Sequence, residues 1–539
     1  MTELHQLLQQ NRQVVIAAIN GMGGVGKTEL AIQYAREHLA DYPGGICWVN
    51  AQGILAGTQI IRFAEIKFKI VLPDGWELAD QLQFCWQKWQ PGDVLFIFDD
   101  VFNYKQQVKP FLPNQSRFKV LLTTRFQFDS TLQQLRLDVL KPLAAMRLLK
   151  SIVGRERLQQ EPKIARSLCQ FLGYLPLALE LVGRYLDLQP NLSLAKLLRR
   201  LEKQRLDHAA LIPPKDGNDV MRYELGVEAA INLSWEKLDE NAKNVGCYLS
   251  LYALAAIPFS TEWIEDEDEQ EEWEKALRDL RQWHLLQEVR KETYRLHPLI
   301  RQFLQKRLDE LAEAEEWKRS FAASMVAVAR EIDYQLTRED VINFSPWIPH
   351  IEEVANNLAE FLDDEDLITP FNGLGKFYYG QSFSQQAEVW YQQCRDIVKQ
   401  RLGEEHPDFA TILNYLAELY HSLGRYSEAE PLYLQALSID RQSLPENHPL
   451  LATHLNNLAL LYKSQGRYSE AEPLYLQAWE ILQRSLGAEH PNTVTLRRNL
   501  AKFWSEAINE NRADLEVLQN NPLFLEIMRE FPAENPPDD

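Results

Sequence analysis

Cysteine, basic charge and long apolar runs are all scarce in this chain, and each scarcity excludes something. The five cysteines among 539 residues (Cys47, Cys85, Cys169, Cys247, Cys394) lie far apart, with no C-x-x-C pair and no Cys/His ligand spacing. That argues against a disulfide framework and reads as reduced core thiols of a cytoplasmic protein. Lys and Arg number 57 against 77 Asp and Glu, a formal net charge of −20. A general nucleic-acid-binding role is disfavoured, because phosphate contacts need clustered cations, although one local basic face stays open. The longest apolar stretch, near Tyr248 to Phe259, is too short to span a bilayer. The N-terminus also lacks the basic-then-apolar layout of a signal peptide.

What is present is ordinary in bulk and specific in detail. Hydrophobic content of 45% and charged content of 25% suit globular protein, and the length predicts three or four domains. The chain is organised around VVIAAINGMGGVGKTELAIQYA, from Val14 to Ala35, an apolar strand followed by a glycine-rich loop and a helix. Gly21, Gly26, Lys27 and Thr28 fit the spacing G-x-x-x-x-G-K-[ST]. Glycines let backbone N–H groups turn toward phosphate oxygens, and the helix that follows presents its positive dipole end to the same anion. In such a loop Lys27 reaches the β- and γ-phosphates and the Thr28 hydroxyl ligates Mg²⁺. Gly23, Gly24, Val25 and Glu29 complete the expected nucleotide contacts.

Further apolar runs follow at 44–51, 93–101 and 118–125, with a possible fifth strand at 135–140 and helical patterns between several of them. Such alternation predicts a parallel sheet covered on both faces. Asp99 and Asp100 close one run and so belong at the ligand-binding, C-terminal edge of the sheet. Asp99 is the expected Mg²⁺ partner, and Asp100 could orient or deprotonate an attacking water. Arg125, ending the next run, could read a γ-phosphate.

From about 141 to 210 the pattern is helical. Gly173 and Pro176 end one helix and open the next. Residues 211–218 read as a linker. A short strand, Thr293 to Leu296, would deliver His297 and Pro298 to the start of a helix, where a histidine is most simply a cap or a packing group. The acidic run at 262–274 reads as a solvated helix start or loop. From about 310 to 365 the chain is helical but irregular.

A repeat then sets in. GRYSEAEPLYLQA occurs at 424–436 and 466–478, a spacing of 42, with a weaker copy at 384–394. His406-Pro407, His448-Pro449 and His490-Pro491 keep the period, which makes them helix-start punctuation rather than a metal site. Small and aromatic residues at fixed helical offsets predict stacked helix pairs, a solenoid. The tail 532–539 is expected to be disordered.

GMGGVGKTELA, LFIFDD, LLTTR, LGYLPLAL and YRLHPLIRQF occur in the order found in NB-ARC proteins, the STAND class of P-loop NTPases. The C-terminal part resembles tetratricopeptide repeats of the kinesin-light-chain type. The resemblance implies a multidomain chain: a three-layer α/β NTPase domain (1–140), a helical subdomain (141–212), a winged-helix subdomain (220–310), a helical connector (311–370), repeats (371–510), and a C-terminal helix and tail (511–539). It further implies that Pro176 sits near the adenine and that His297 contacts the ADP β-phosphate. The family's Met-His-Asp triplet stands here as Leu296-His297-Pro298, without the acidic third residue. An effector domain and a Gly-Arg-Glu segment, usual upstream of the loop, have no counterpart in the twenty residues before Gly21. A partner chain or a longer form of this one is expected to supply the effector.

The function so implied is an ADP/ATP-binding switch with Mg²⁺, at most a slow ATPase. An unknown protein or peptide on the repeats would drive ADP-for-ATP exchange and homo-oligomerisation, without membrane or nucleic acid. Two alternatives compete: a winged-helix DNA-binding regulator, and a repeat scaffold with a vestigial nucleotide site.

Overall fold

A computed structural model of the chain describes residues 1–18, 24–51, 56–72, 78–124, 132–209, 219–510, 518 and 520–531. The expected linker at 211–218 and the tail at 532–539 lie outside the described residues. The chain divides into two compact units, residues 1–328 with 337–361 and residues 329–336 with 362–539.

The first unit opens with α1 (Thr2–Gln10) and then alternates strand and helix: β1 (Gln13–Ala18), α2 (Lys27–Glu37), β2 (Gly45–Asn50), α3 (Ala56–Phe68), α4 (Leu78–Lys88), β3 (Val94–Asp99), α5 (Tyr104–Gln107), β4 (Phe118–Thr124) and β5 (Gln133–Leu137). The five strands form one parallel sheet in the order β2-β3-β4-β1-β5. β3 is buried at all six positions, as expected of a strand covered on both faces. The fifth strand begins two residues before the run at 135–140, because Gln133 and Gln134 take up pairing with β1. The N-terminal lead-in is the short helix expected of it, and Leu4 and Leu8 of α1 are buried in the same core as Val14, Ile16 and Tyr34.

Five helices follow: α6 (Pro142–Val153), α7 (Arg155–Gln160), α8 (Pro162–Phe171), α9 (Pro176–Asp187) and α10 (Leu194–Ala209). Next come α11 (Asp219–Trp235), α12 (Glu240–Leu249), β6 (Ile257–Pro258), α13 (Glu267–Gln282), β7 (Gln287–Arg290), β8 (Thr293–Arg295) and α14 (Pro298–Leu308). The three strands pair antiparallel in the order β6-β8-β7. The acidic run begins α13: Asp266 accepts the Glu269 N–H at 2.9 Å, and three acidic residues fill the first turn, where the helix dipole favours them.

The irregular helices α15 (Ala314–Arg330), α16 (Arg338–Phe344) and α17 (Ile348–Asn357) come next. His350 of α17 ties this segment to the loop after α12 and is fully buried. Its Nδ1 accepts the Ala253 N–H at 3.1 Å, and its Nε2–H donates to the Ala256 carbonyl at 3.0 Å. Both ring nitrogens are therefore used in the neutral form. Beside it, Arg301 donates to the Ser250 and Tyr252 carbonyls and pairs with Glu353 at 2.6 Å.

The second unit is a stack of antiparallel helix pairs: α18 (Thr369–Tyr379) with α19 (Ser384–Arg401), α20 (Pro407–Ser422) with α21 (Tyr426–Ser443), α22 (Pro449–Ser464) with α23 (Tyr468–Ser485), then α24 (Pro491–Asn509) and α25 (Pro522–Glu530). The 42-residue period reappears as a repeated staple. Arg425 reaches back to Glu388 at 3.0 Å and lies over the Tyr420 ring, and Arg467 does the same with Glu430 at 2.8 Å and Tyr462. His406, His448 and His490 each cap the following helix, every Nδ1 accepting a backbone N–H at 3.2 Å. The helix-start reading of these pairs holds.

One position breaks the repeat's apolar column. Val398 of α19 and Ile412 of α20 are buried, as are Leu482 of α23 and Leu496 of α24, but the equivalent positions in α21 and α22 hold Asp440 and His454. These two form a buried hydrogen-bonded pair, His454 Nδ1 with Asp440 Oδ2.

Candidate functional site

β1 runs toward the glycine loop, and α2 begins at Lys27. Gly21, Met22 and Gly23 lie outside the described residues, as does Arg125. The rest of the loop is defined. Gly24 and Gly26 take φ of +73° and +93°, left-handed values that an L side chain rarely adopts. Gly26 is the N-cap of α2, and its carbonyl accepts the Leu30 N–H at 2.9 Å. Val25 is buried and Lys27 is only 9% exposed, in the first turn of α2. Glu29 turns instead to solvent, where its carboxylate accepts from Gln33 at 2.8 Å. Only its backbone belongs to the helix start.

The sheet supplies the acidic edge. The Thr28 hydroxyl donates to Asp99 Oδ1 at 2.8 Å, and the Thr123 hydroxyl donates to the same oxygen at 2.6 Å. Thr123 Oγ1 in turn accepts the Asp100 N–H at 2.8 Å. Asp100 itself has φ of +58°, so the chain bends sharply just past β3. Burial pushes the Asp99 carboxyl above its ordinary range. The hydrogen bonds from Thr123 and Thr28 pull it back, Asp100 opposes its charge and Arg295 favours it.

Two later segments arrive at the loop. Pro176 opens α9, and its Cγ lies 4.0 Å from where a Cβ on Gly26 would stand. The next residue, Leu177, donates its N–H to the Gly24 carbonyl at 3.4 Å. A Cβ on Gly24 would also lie 3.1 Å from Leu177 Cβ and 3.5 Å from Leu299 Cδ1. Leu299 stands in the first turn of α14, whose N-cap is His297. His297 Nδ1 accepts the Leu299 N–H at 3.2 Å, the same geometry as the three repeat histidines.

Of the residues singled out in the sequence, the structure thus brings together Gly24, Val25, Gly26, Lys27, Thr28, Asp99 and Asp100, with Pro176 against the loop. His297 is a helix cap that orients the leucine touching the loop. Sequence reasoning passed over Thr123, Leu177 and Leu299. Thr123 becomes visible only with the register of the sheet: Phe98 pairs with Leu122, so the next residue on each parallel strand, Asp99 and Thr123, are neighbours. Leu177 and Leu299 fall inside the motifs LGYLPLAL and YRLHPLIRQF, but nothing in the sequence marked them as contacts of Gly24, which lies 153 and 275 residues away.

Residues 1–159 match the NB-ARC domain, and residues 366–442 and 451–492 match tetratricopeptide repeats. The regulatory protein AfsR of Streptomyces coelicolor is 25% identical over 303 residues, covering 54% of this chain and 29% of that protein. A nucleotide-binding leucine-rich repeat (NLR)-like protein of Hyaloscypha variabilis is 25% identical over 434 residues, 72% of this chain and 42% of its own length. The chain spans less than half of either relative. Among solved structures, a Signal Transduction ATPase with Numerous Domains (STAND) protein with a tetratricopeptide repeat sensor from Pyrococcus horikoshii aligns over 99% of this chain and 93% of its own, at 14% identity and a TM-score of 0.40. The chain thus carries a segment that matches the NB-ARC domain and C-terminal segments that match tetratricopeptide repeats.

Proposed function

We propose that the protein is an ADP/ATP-binding signalling switch in which the nucleotide clasps separate parts of the first unit together. The observation that carries this reading is the convergence on Gly24 of Leu177 from α9 and Leu299 from α14. A phosphate loop used only for catalysis needs neither contact.

The residues present suit a magnesium nucleotide. Gly24 and Gly26 hold backbone conformations that open N–H groups toward an anion, at the positive end of α2. Thr28 and Asp99 offer a hydroxyl and a carboxylate, the oxygen donors a hard cation takes. Thr28 and Asp99 would hold Mg²⁺, Lys27 would meet the phosphates, and Pro176 would border the base. Mg²⁺, when bound, supplies positive charge against the β- and γ-phosphate oxygens. Asp99 is kept in place by Thr123, and Asp100 stands beside it for any water. Arg125 and His297 are proposed to face the phosphates, with His297 also setting the first turn of α14.

In this reading α11 to α14 with the β6-β8-β7 sheet act as a winged-helix subdomain. It stays closed over the loop with ADP and opens with ATP. A protein or peptide on the repeats shifts that balance only by its differential affinity for the two states. Homo-oligomerisation of the open form and a cytoplasmic location belong to the same proposal. Among the described residues no helix is long and apolar enough to cross a membrane. A row of amides, half-buried at Asn456, Asn457 and Asn499 and buried at Asn414, with Asn457 donating to Asn414 at 3.2 Å and Asn499 to Asn456 at 3.0 Å, gives the repeats a polar face suited to a peptide.

The test is to purify the protein, denature it and identify released nucleotide by chromatography, with Lys27→Ala as control. ADP in the wild type and none in the variant is expected. No bound nucleotide, together with no ADP binding by either protein, overturns the proposal.

A further inference from the structure

The end of α2 carries a group of side chains for which the nucleotide reading has no use. His5 of α1 and His38, which caps α2, stack with ring centroids 4.2 Å apart and planes 13° from parallel. His38 Nδ1 lies 2.6 Å from Asp41 Oδ2, in the short turn Leu39–Asp41 that leads toward β2. His5 Nδ1 lies 3.1 Å from the Tyr34 hydroxyl, which is 2.9 Å from the Tyr42 hydroxyl. One ligand atom each from His5, His38 and Asp41 falls within 4.8 Å of the other two.

We propose that His5, His38 and Asp41 form a site for a divalent transition ion of the zinc type, separate from the Thr28–Asp99 pair. Two imidazoles and one carboxylate are the donor set of a three-ligand zinc site whose fourth position is water. The imidazoles select against Mg²⁺ and Ca²⁺, which prefer oxygen donors throughout. Supporting partners for the ligands are already in place. Tyr34 can accept from His5 Nδ1–H and donate to Tyr42, which leaves His5 Nε2 as the ligating atom. The ion takes the place of the hydrogen between His38 Nδ1 and Asp41, and His38 then carries its ring N–H on Nε2 as the other neutral tautomer.

An imidazole binds a metal in its own ring plane, so two stacked, nearly parallel rings cannot both do so. Binding therefore requires one ring to turn out of the stack. Both rings are half-buried, and His38 also stacks on the buried Tyr34 ring with centroids 4.4 Å apart, so a turn of His38 gives up that contact as well. The five cysteines, all buried, offer no competing cluster. A bound ion would staple α1, whose Leu4 and Leu8 line the core of the sheet, to the connection between α2 and β2.

The test uses the full chain, stripped of metal and then titrated with Zn²⁺ against a chromophoric chelator in excess Mg²⁺. One zinc per chain and a raised unfolding temperature are expected, and Co²⁺ should give the intense visible absorption of a tetrahedral site. His5→Ala and His38→Ala should each weaken zinc binding by about tenfold or more while ADP binding persists, which shows that they fold. If His38→Ala fails to fold, His5→Gln carries the same comparison. No zinc retention, or equal zinc affinity in the His5→Ala/His38→Ala double variant, overturns the proposal.

Discussion

The Thr123 hydroxyl donates to Asp99 Oδ1 at 2.6 Å, from the strand next to the one that carries the carboxylate. It is a second hold on an oxygen already bonded to Thr28. Thr123→Val removes a hydrogen bond to a charged group, worth roughly 1.5–3 kcal/mol. Asp99 should then be harder to ionise, because burial already pushes it up and Thr123 opposes that push. The acid limb of Mg²⁺-dependent nucleotide binding should move to higher pH. Nucleotide affinity measured across pH checks this, and an unmoved limb would reduce Thr123 to a packing residue.

Leu299 and His297 separate by mutation. Leu299→Ala removes the side chain that meets Gly24 and should speed ADP release without weakening α14. His297→Ala removes a cap, costing about 1 kcal/mol of local stability, and should speed release as well if the ring faces the phosphate. Stopped-flow displacement of a fluorescent ADP analogue measures both rates. An off-rate unchanged in His297→Ala, with Leu299→Ala accelerated, leaves His297 as a cap alone.

His350 predicts a stability profile. Burial lowers its pKa from 6.5 to about 4, with Arg301 adding to the effect and the bond to Ala256 opposing it. The unfolded chain therefore takes up a proton that the folded chain refuses. Stability from this group is complete above pH 6.5 and is lost progressively as pH falls toward 4, by about 3 kcal/mol in all. Urea unfolding of the first unit at several pH values should show this slope, and His350→Gln should flatten it.

Asp440 and His454 offer a contrast of singles and a double. Asp440→Leu or His454→Leu strands a buried polar partner and should destabilise the repeats by about 3–5 kcal/mol. The double change restores the apolar column seen at Val398/Ile412 and Leu482/Leu496, and should be neutral or stabilising by about 1–4 kcal/mol. Thermal unfolding of the four proteins decides it. A double variant as unstable as the singles would mean the pair supports the stack in a way its neighbours do not need.

The sequence by itself determined whatever depends on local periodicity and short-range geometry. Alternating apolar runs dictated the parallel sheet, the glycine spacing dictated the loop, and the 42-residue period dictated the helix pairs. His-Pro dictated helix starts, since proline at the first helical position and a ring nitrogen accepting an N–H both act within two residues. What only the tertiary structure decided were pairings across distance. Gly24 with Leu177 and Leu299, Asp99 with Thr123, His5 with His38 and Asp41, and Asp440 with His454 each join separate elements. A periodic pattern records which face a residue presents to the core, but not which side chain it meets there. That partner follows from strand order and helix packing, and these are fixed only when the whole core closes.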